Sequence, residues 1–334
     1  MCGIVGIVER DLDRPVSAED LARMVAMLHH RGPDEEGSIT LNGVGLGMRR
    51  LAIVDIATGQ QPILNEAGDI KIVANGEIYN FQELRREREG HGHVFRSRAS
   101  DIEVLVHAYE QWGEDFLPKL RGMFALALWD GRTRTLIAAR DRAGEKPLYW
   151  TETARGLLLA SEVKALLVRP EVSRELDPVA LDQFLTYEYI LAPLTILKGV
   201  HKIPPAHFLR YRDGEVSVHR YWDAADIPLR EWRDEDAAEA LKVALRKAVT
   251  RQLMADVPLG AFHSGGIDSS AIVAFMSEAA AQPVNSFSIG FSDGSYNELP
   301  YAREVAALFK TNHRERSVSP DLGDLFEQIG RAHV

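Results

Sequence analysis

A chain of 334 residues amounts to about two domains at roughly 150 residues each, too long for a single small binding module. Apolar residues form 46% and charged residues 26% of it, a globular balance that excludes a disordered or fibrous chain. With 39 Lys and Arg against 49 Asp and Glu the net charge is −10. No long basic cluster stands out, which argues against nucleic-acid or anionic-membrane partners and for small molecules or other proteins.

One cysteine, Cys2, excludes an intrachain disulfide framework and a cysteine zinc cage, and fits a reducing cytoplasm. No apolar run approaches the ~20 residues of a membrane span. The start MCGIVGIVERD turns acidic too early for a signal peptide. A Met before a small residue is commonly trimmed, so the mature N-terminus is expected at Cys2.

From Cys2 to about Asp223 the chain reads as short apolar runs broken by Gly, Pro, Asn and Asp: IVGIV, GLGMRRLAIVD, IKIVANGE, MFALALWD, TLIAARD and LLLAS. These lengths and bounding residues predict strands of a large, mostly antiparallel structure. Helical spacing intervenes at Ala18–His29 (Leu21, Met24, Val25, Leu28) and at Asp101–Trp112 (Ile102, Leu105, Val106, Tyr109). The first half is therefore α+β. The polar segment Asp223–Asp234, DAADIPLREWRD, reads as a linker. Beyond it a helix over Glu235–Met254, a strand over Val257–His263, the turn SGGIDSS, a helix to about Ala280, a strand VNSFSIGF and a helix over Leu299–Phe309 alternate. That alternation predicts a parallel α/β sheet. About a hundred residues are few for a doubly wound sheet, and the terminal IGRAHV matches one reading frame of a DNA-sequencing adapter. The expectation is an incomplete domain over 235–328 and a non-native tail at 329–334.

A thiol at the chain terminus carries its own base, an α-amine of pKa ~8, and is an acyl-transfer nucleophile in want of an oxyanion hole. Elsewhere a lone cysteine is a small buried hydrophobe. In ANGEIYNF (Ala74–Phe81), the Asn75 side-chain amide and Gly76 N–H could donate to an oxyanion; the other reading of Asn-Gly is a hairpin turn. Asp101 alone reads as a helix N-terminal carboxylate. His29 and His30, adjacent and without spaced partners, are weak as a metal site.

MCGIVG, HRGPDEEG (His30–Gly37), RRLAIVD (Arg49–Asp55), NGEIYN (Asn75–Asn80), SDIE (Ser100–Glu103), GMFALALWD (Gly122–Asp130) and RDRAGEKPLYW (Arg140–Trp150) together resemble the class II glutamine amidotransferases. Their order resembles the glutamine-hydrolysing asparagine synthetases in particular. The resemblance implies an N-terminal-nucleophile αββα sandwich over 2–222, in which Cys2 attacks the glutamine carboxamide while Asn75 and Gly76 hold the oxyanion. It assigns Arg50 as a bidentate clamp on the α-carboxylate and Asp101 and Glu77 as acceptors of the α-ammonium. Ile53 and Val54 would line the pocket through the backbone, and the HRGPD loop would close over it.

SGGIDSS (Ser264–Ser270) follows a strand and opens a helix, a place where N–H groups gather around phosphate. It lacks the GK[ST] of a Walker loop, and a capped Gly-Gly turn is the alternative. After the first domain it resembles the pyrophosphate loop of the ATP pyrophosphatases, with an adenine nucleotide α-hydrolase-like partial sheet. That implies Ser264, Gly265, Gly266 and Ser269 around the phosphates of ATP, Asp268 helping to hold Mg²⁺, and Phe262 and Ile289 touching the nucleotide. His263, Arg49 and Ala206 depart from the family pattern, which has an apolar residue, Glu and Gly there. The family's SGEGSDE-like segment, which completes the ATP and aspartate sites, is not in the sequence. The resemblance thus implies an ATP-dependent ligase making asparagine from aspartate and glutamine, this fragment being able to hydrolyse glutamine without making product. Alternatives are a related amidotransferase acting on another carboxylate, and a non-catalytic glutamine-binding protein. Members of the family are often homodimers; the sequence does not reveal oligomeric state, acceptor or ammonia-tunnel lining.

Overall fold

The computed structural model describes residues 1–291 and 297–318; the tail at 329–334 lies outside the described residues. Two compact units divide between Pro228 and Leu229, inside the segment read as a linker.

Unit 1 runs β1 (Gly3–Glu9), α1 (Ala18–Ala26), β2 (Glu35–Thr40), β3 (Val44–Arg50), β4 (Ile63–Leu64), β5 (Ile70–Ile78), α2 (Phe81–Gly90), α3 (Glu103–Trp112), β6 (Gly122–Asp130), β7 (Thr135–Arg140), β8 (Tyr149–Thr153), β9 (Gly156–Ala160), α4 (Val163–Leu166), α5 (Pro178–Tyr187), β10 (Val200–Lys202), β11 (His207–Arg212) and β12 (Glu215–Arg220). The strands form two six-stranded sheets, β10-β8-β9-β1-β3-β2 and β12-β11-β7-β6-β5-β4, with antiparallel pairing between neighbours.

The two-residue period of β1 builds the layers. Ile4 and Val8 join Leu46, Met48, Val73, Ala125 and Leu159 in the core between the sheets. Val5 and Ile7 point the other way, onto Leu21, Met24 and Val25 of α1 and Leu166 of α4. On the second sheet α3 packs against β4 and β5. Helix, sheet, sheet, helix is the N-terminal-nucleophile sandwich expected. A Cβ at Gly47 would fall 2.5 Å from Val25 Cγ2, so glycine lets α1 lie close on β3.

The apolar run at 45–55 is strand only as far as Arg50; Leu51–Val54 is irregular and serves the site. Asn75 and Gly76 pair with Ala125 and Phe124 inside the β5–β6 ladder, so the hairpin alternative does not hold. Ala206 has φ +60°, a left-handed backbone that suits the glycine of the family pattern.

Unit 2 runs α6 (Asp234–Gln252), β13 (Gly260–Phe262), α7 (Ile267–Ala279), β14 (Asn285–Phe291), α8 (Leu299–Phe309) and β15 (Asn312–Val318). The three strands pair in parallel in the order β13-β14-β15. The predicted strand over Val257–His263 is shorter than expected, and β15 was not foreseen: its NHRERSV has too few apolar residues to show a strand period. Val249, Ala261, Val273, Phe275, Met276 and Val284 form the unit's core.

Candidate active site

A cavity of about 220 Å³ opens at the start of β1, where the end of β3, the middle of β5 and the segment before α3 meet. Cys2, Arg50, Ile53, Val54, Asn75, Gly76, Glu77 and Asp101 all line it. Eight positions spread over a hundred residues therefore converge on one hole.

Cys2 is held from two sides. Leu51 N–H donates to its Sγ at 3.4 Å, and Arg31 Nε donates to its carbonyl at 2.9 Å. Arg31 is itself fixed by Glu162 at 2.9 Å. Burial pushes the Cys2 thiol up, the Leu51 N–H and the chain's terminal ammonium opposing it. Met1 also lines the cavity; while it is present the Cys2 nitrogen is a peptide nitrogen, and burial lowers the Met1 amine.

Asn75 Nδ2 is buried with no hydrogen-bond partner, an expensive state for an amide and a donor aimed at nothing in the protein. At Gly76 (φ +154°) a Cβ would lie 2.0 Å from Met123 O across the ladder. Only glycine permits that approach.

Arg50 and the carboxyls of Asp101 and Glu77 bring opposite charges to the cavity wall. Buried Arg50 pairs with Glu35 at 2.7 Å through Nη1, and Nη2 donates to Val54 O and Asp55 O at 2.8 and 2.9 Å. Both N–H groups of Nη2 are spent, so the expected fork through Nη1 and Nη2 is taken up within the protein, and the second N–H of Nη1 and the Nε–H are the donors outside these bonds. Asp101 accepts from Ile78 N–H at 2.8 Å. Burial, with Glu77 adding to it and the Ile78 bond opposing, pushes the Asp101 carboxyl up to about 7. Burial raises Glu77 as well.

The His30–Asp34 loop does not border this cavity. His30 meets Glu162 at 2.8 Å and Asp34 accepts from Ala52 N–H at 2.9 Å, so the loop backs Cys2 and the 51–54 segment instead of covering the pocket. Gln61, Ser100, Met123 and Lys146 line the cavity too and were not singled out. Lys146 stands within RDRAGEKPLYW, Ser100 within SDIE and Met123 within GMFALALWD, so those motifs mark them. Gln61 had no such signal: its amide bonds both backbone groups of Ala74, at 2.7 and 3.2 Å.

In unit 2 the glycine turn leads into the 13-residue α7. Gly265 has φ +87°, and a Cβ there would lie 2.6 Å from Ala302 N. Ser264 and Ser269 hydroxyls are 3.1 Å apart, and Gly266 N–H donates to Ser264 Oγ at 3.3 Å. Asp268 is exposed in the first turn of α7. Phe262 pairs with Phe287, and Ile289 follows two residues on, so all three share a face. Phe262 is 83% exposed and Ile289 57%. His263 is buried, its Nδ1 3.3 Å from Ser269 Oγ.

Residues 1–222 match the glutamine amidotransferase domain family. The chain belongs to that family. Residues 240–332 match the asparagine synthase family. The chain is 36% identical, over 98% of its length, to asparagine synthetase [glutamine-hydrolyzing] 3 of Bacillus subtilis, covering 56% of that protein. It is 34% identical to amidase chry2 of Gibberella zeae over 84% of this chain and 44% of that protein. It thus spans about half the length of the curated relatives it matches. The solved structure described as the allosteric regulatory enzyme of purine biosynthesis shares the fold, with a TM-score of 0.51 at 16% identity over 96% of this chain and 81% of that one. Among the described residues no helix is long and apolar enough to cross a membrane.

Proposed function

We propose that this amidotransferase hydrolyses L-glutamine with Cys2 and works as a glutamine-hydrolysing asparagine synthetase. The observation that carries the first half is the unpartnered Asn75 Nδ2 in the wall of the cavity that holds Cys2. Once Met1 is removed, the Cys2 α-amine takes the thiol proton and Sγ attacks the side-chain carbonyl carbon. The oxyanion accepts from Asn75 Nδ2 and Gly76 N–H. The proton passes to the amide nitrogen, the C–N bond breaks and ammonia leaves; water then cleaves the thioester to glutamate and restores the thiol. Asp101 and Glu77 receive the substrate's ammonium, and Arg50 its carboxylate.

In the second half ATP adenylates the β-carboxylate of L-aspartate, releasing pyrophosphate, and ammonia displaces AMP to give L-asparagine. Ser264, Gly265, Gly266 and Ser269 would hold the departing phosphates at the N-terminus of α7, beside the exposed Phe262 and Ile289. The exposed Asp268 carboxylate has the hard oxygens that suit Mg²⁺, an ion that supplies phosphate charge neutralisation when bound. The likeness to amidase chry2 favours a second reading, in which the acceptor is a different carboxylate.

A Cys2→Ala chain is expected to lose glutamine hydrolysis; turnover surviving the change overturns the mechanism. Mass spectrometry should find Met1 absent from the active protein. Pyrophosphate release by the protein at its natural full length, with aspartate against other carboxylic acids, separates the two acceptors. Release that does not depend on aspartate rejects the asparagine reading.

A further inference from the structure

Away from this cavity, four side chains from three segments of unit 1 face one another. Glu66 stands in the turn between β4 and β5, His93 follows α2, and His107 and Glu110 sit three residues apart on α3. One ligand atom from each lies within 4.8 Å of all the others. His107 Nδ1 is 3.3 Å from Glu66 Oε2, and His93 Nδ1 is 3.6 Å from Glu66 Oε1 and 3.7 Å from Glu110 Oε2. A zinc ion with bonds of about 2.0–2.1 Å in tetrahedral geometry holds its donors about 3.3 Å apart.

A second observation points inward independently. His107 is 1% exposed, yet neither of its ring nitrogens makes a well-directed hydrogen bond, although Nδ1 lies against Glu66 and Nε2 faces Glu103, and Glu110 Oε2 is buried without one as well. Their neighbours are already arranged. Asn65 Nδ2 donates to Glu110 Oε1 at 3.2 Å, which leaves Oε2 for the cluster. Val94 N–H donates to Glu66 Oε1 at 2.8 Å. Glu103 Oε1 lies 3.9 Å from His107 Nε2, an anion on the far side of the ring that favours a proton on Nε2 and a lone pair on Nδ1, the usual support of a metal-bound imidazole. Two cations stand nearby: Arg132, 4.0 Å from Glu110 Oε1 on the Asn65 side, and Arg96, whose Nη2 donates to the backbone carbonyl of Glu66 at 3.1 Å.

We propose that Glu66, His93, His107 and Glu110 form a structural site for a divalent first-row transition cation of the zinc class. Two neutral imidazoles and two carboxylates match its charge and its preference for nitrogen and oxygen donors. Four protein ligands close the coordination sphere, the mark of a structural rather than a catalytic ion. The ion would tie the β4–β5 turn and the segment after α2 to α3, whose N-terminus follows directly on Asp101. None of the four borders the Cys2 cavity, so the site stands or falls separately from the glutamine reading.

The test uses the whole chain carrying Cys2→Ser, which removes the thiol as a competing ligand. After stripping with EDTA, titration with ZnCl₂ should show one ion bound per chain, CoCl₂ should give the intense visible absorption of tetrahedral cobalt, and zinc should raise the melting temperature. His93→Ala and Glu110→Gln should each weaken zinc binding at least tenfold with the circular dichroism spectrum unchanged, while the neighbouring exposed His91→Ala should bind as the parent does. Substoichiometric zinc in the parent, or equal affinity in His93→Ala, overturns the site. If one variant fails to fold, the other together with the cobalt spectrum of the parent decides.

Discussion

In the proposed glutamine site Asp101 would receive the substrate ammonium, yet its buried position is a poor place for a bare negative charge. Burial above all pushes its carboxyl up to about 7. A folded value above the unfolded 3.8 means that this group's contribution to stability is complete below about pH 4 and is lost as pH rises through 7. The shift of roughly three units corresponds to at most about 4 kcal/mol. Asp101→Asn should therefore raise the melting temperature of the unliganded chain at pH 8 and change it little at pH 4. Glutamine requires the opposite protonation state, so KM should climb towards about tenfold per unit below pH 7, and Asp101→Asn should flatten that profile while losing kcat/KM. A KM constant from pH 8 to pH 6 in the parent would remove Asp101 from ammonium binding. Asn75 makes a different demand: Asn75→Ala should lower kcat by about 10²–10³ with KM nearly unchanged, because its donor is used only when the oxyanion forms. The place of Cys2 at the chain terminus made it legible as a candidate nucleophile, whereas Asn75 and Asp101 acquired their roles only from the resemblance to the class II glutamine amidotransferases, since alone they read as a turn residue and a helix N-terminal carboxylate. The engaged Nη2 of Arg50 was not legible, since the carbonyls of Val54 and Asp55 reach it only after the chain leaves β3 and curls back.

At the scale of elements, the fit of α1 onto β3 depends on missing side chains. Gly47→Ala places a Cβ against Val25 and should cost about 1–3 kcal/mol by overpacking. Val25→Ala should cost about 1–3 kcal/mol as a cavity. The two errors are complementary in volume, so the double variant should be more stable than the sum of the single ones predicts, by about 1 kcal/mol in denaturant melts; strict additivity would show that the helix does not meet the strand there. In unit 1 the strands read correctly were those buried on both faces, such as β6 and β7, whose apolar runs have no other home, while β14 of unit 2, also read as a strand, alternates buried and exposed residues. Alternating, half-exposed β2 and charged β12 escaped because their partners, and not their composition, make them strands.

The two units differ in how much they bury. Unit 1 has one core between its sheets and another between the first sheet and α1 and α4, whereas unit 2 has a small core and leaves Phe262 and Ile267 in solvent, the latter 90% exposed. Trypsin should therefore cut first after Arg230 or Arg233, where the chain is exposed, and residues 1–228 expressed alone should unfold cooperatively and keep glutamine hydrolysis. Residues 229–334 alone should bind a hydrophobic dye such as ANS. Loss of glutaminase in 1–228 would show that its site is not self-sufficient.

Local chemistry along the chain marked the candidate nucleophile, the alternation of helices and strands, the break between the halves and the glycine turn, because each is written in contiguous residues or in a fixed period. Tertiary structure alone decided which donors remain unpartnered, how Arg50 spends its N–H groups, that the His30–Asp34 loop supports Cys2 from behind, and that two histidines and two glutamates from three segments meet. Those facts depend on distances between residues far apart in sequence, and such distances exist only once the sheets have paired and packed.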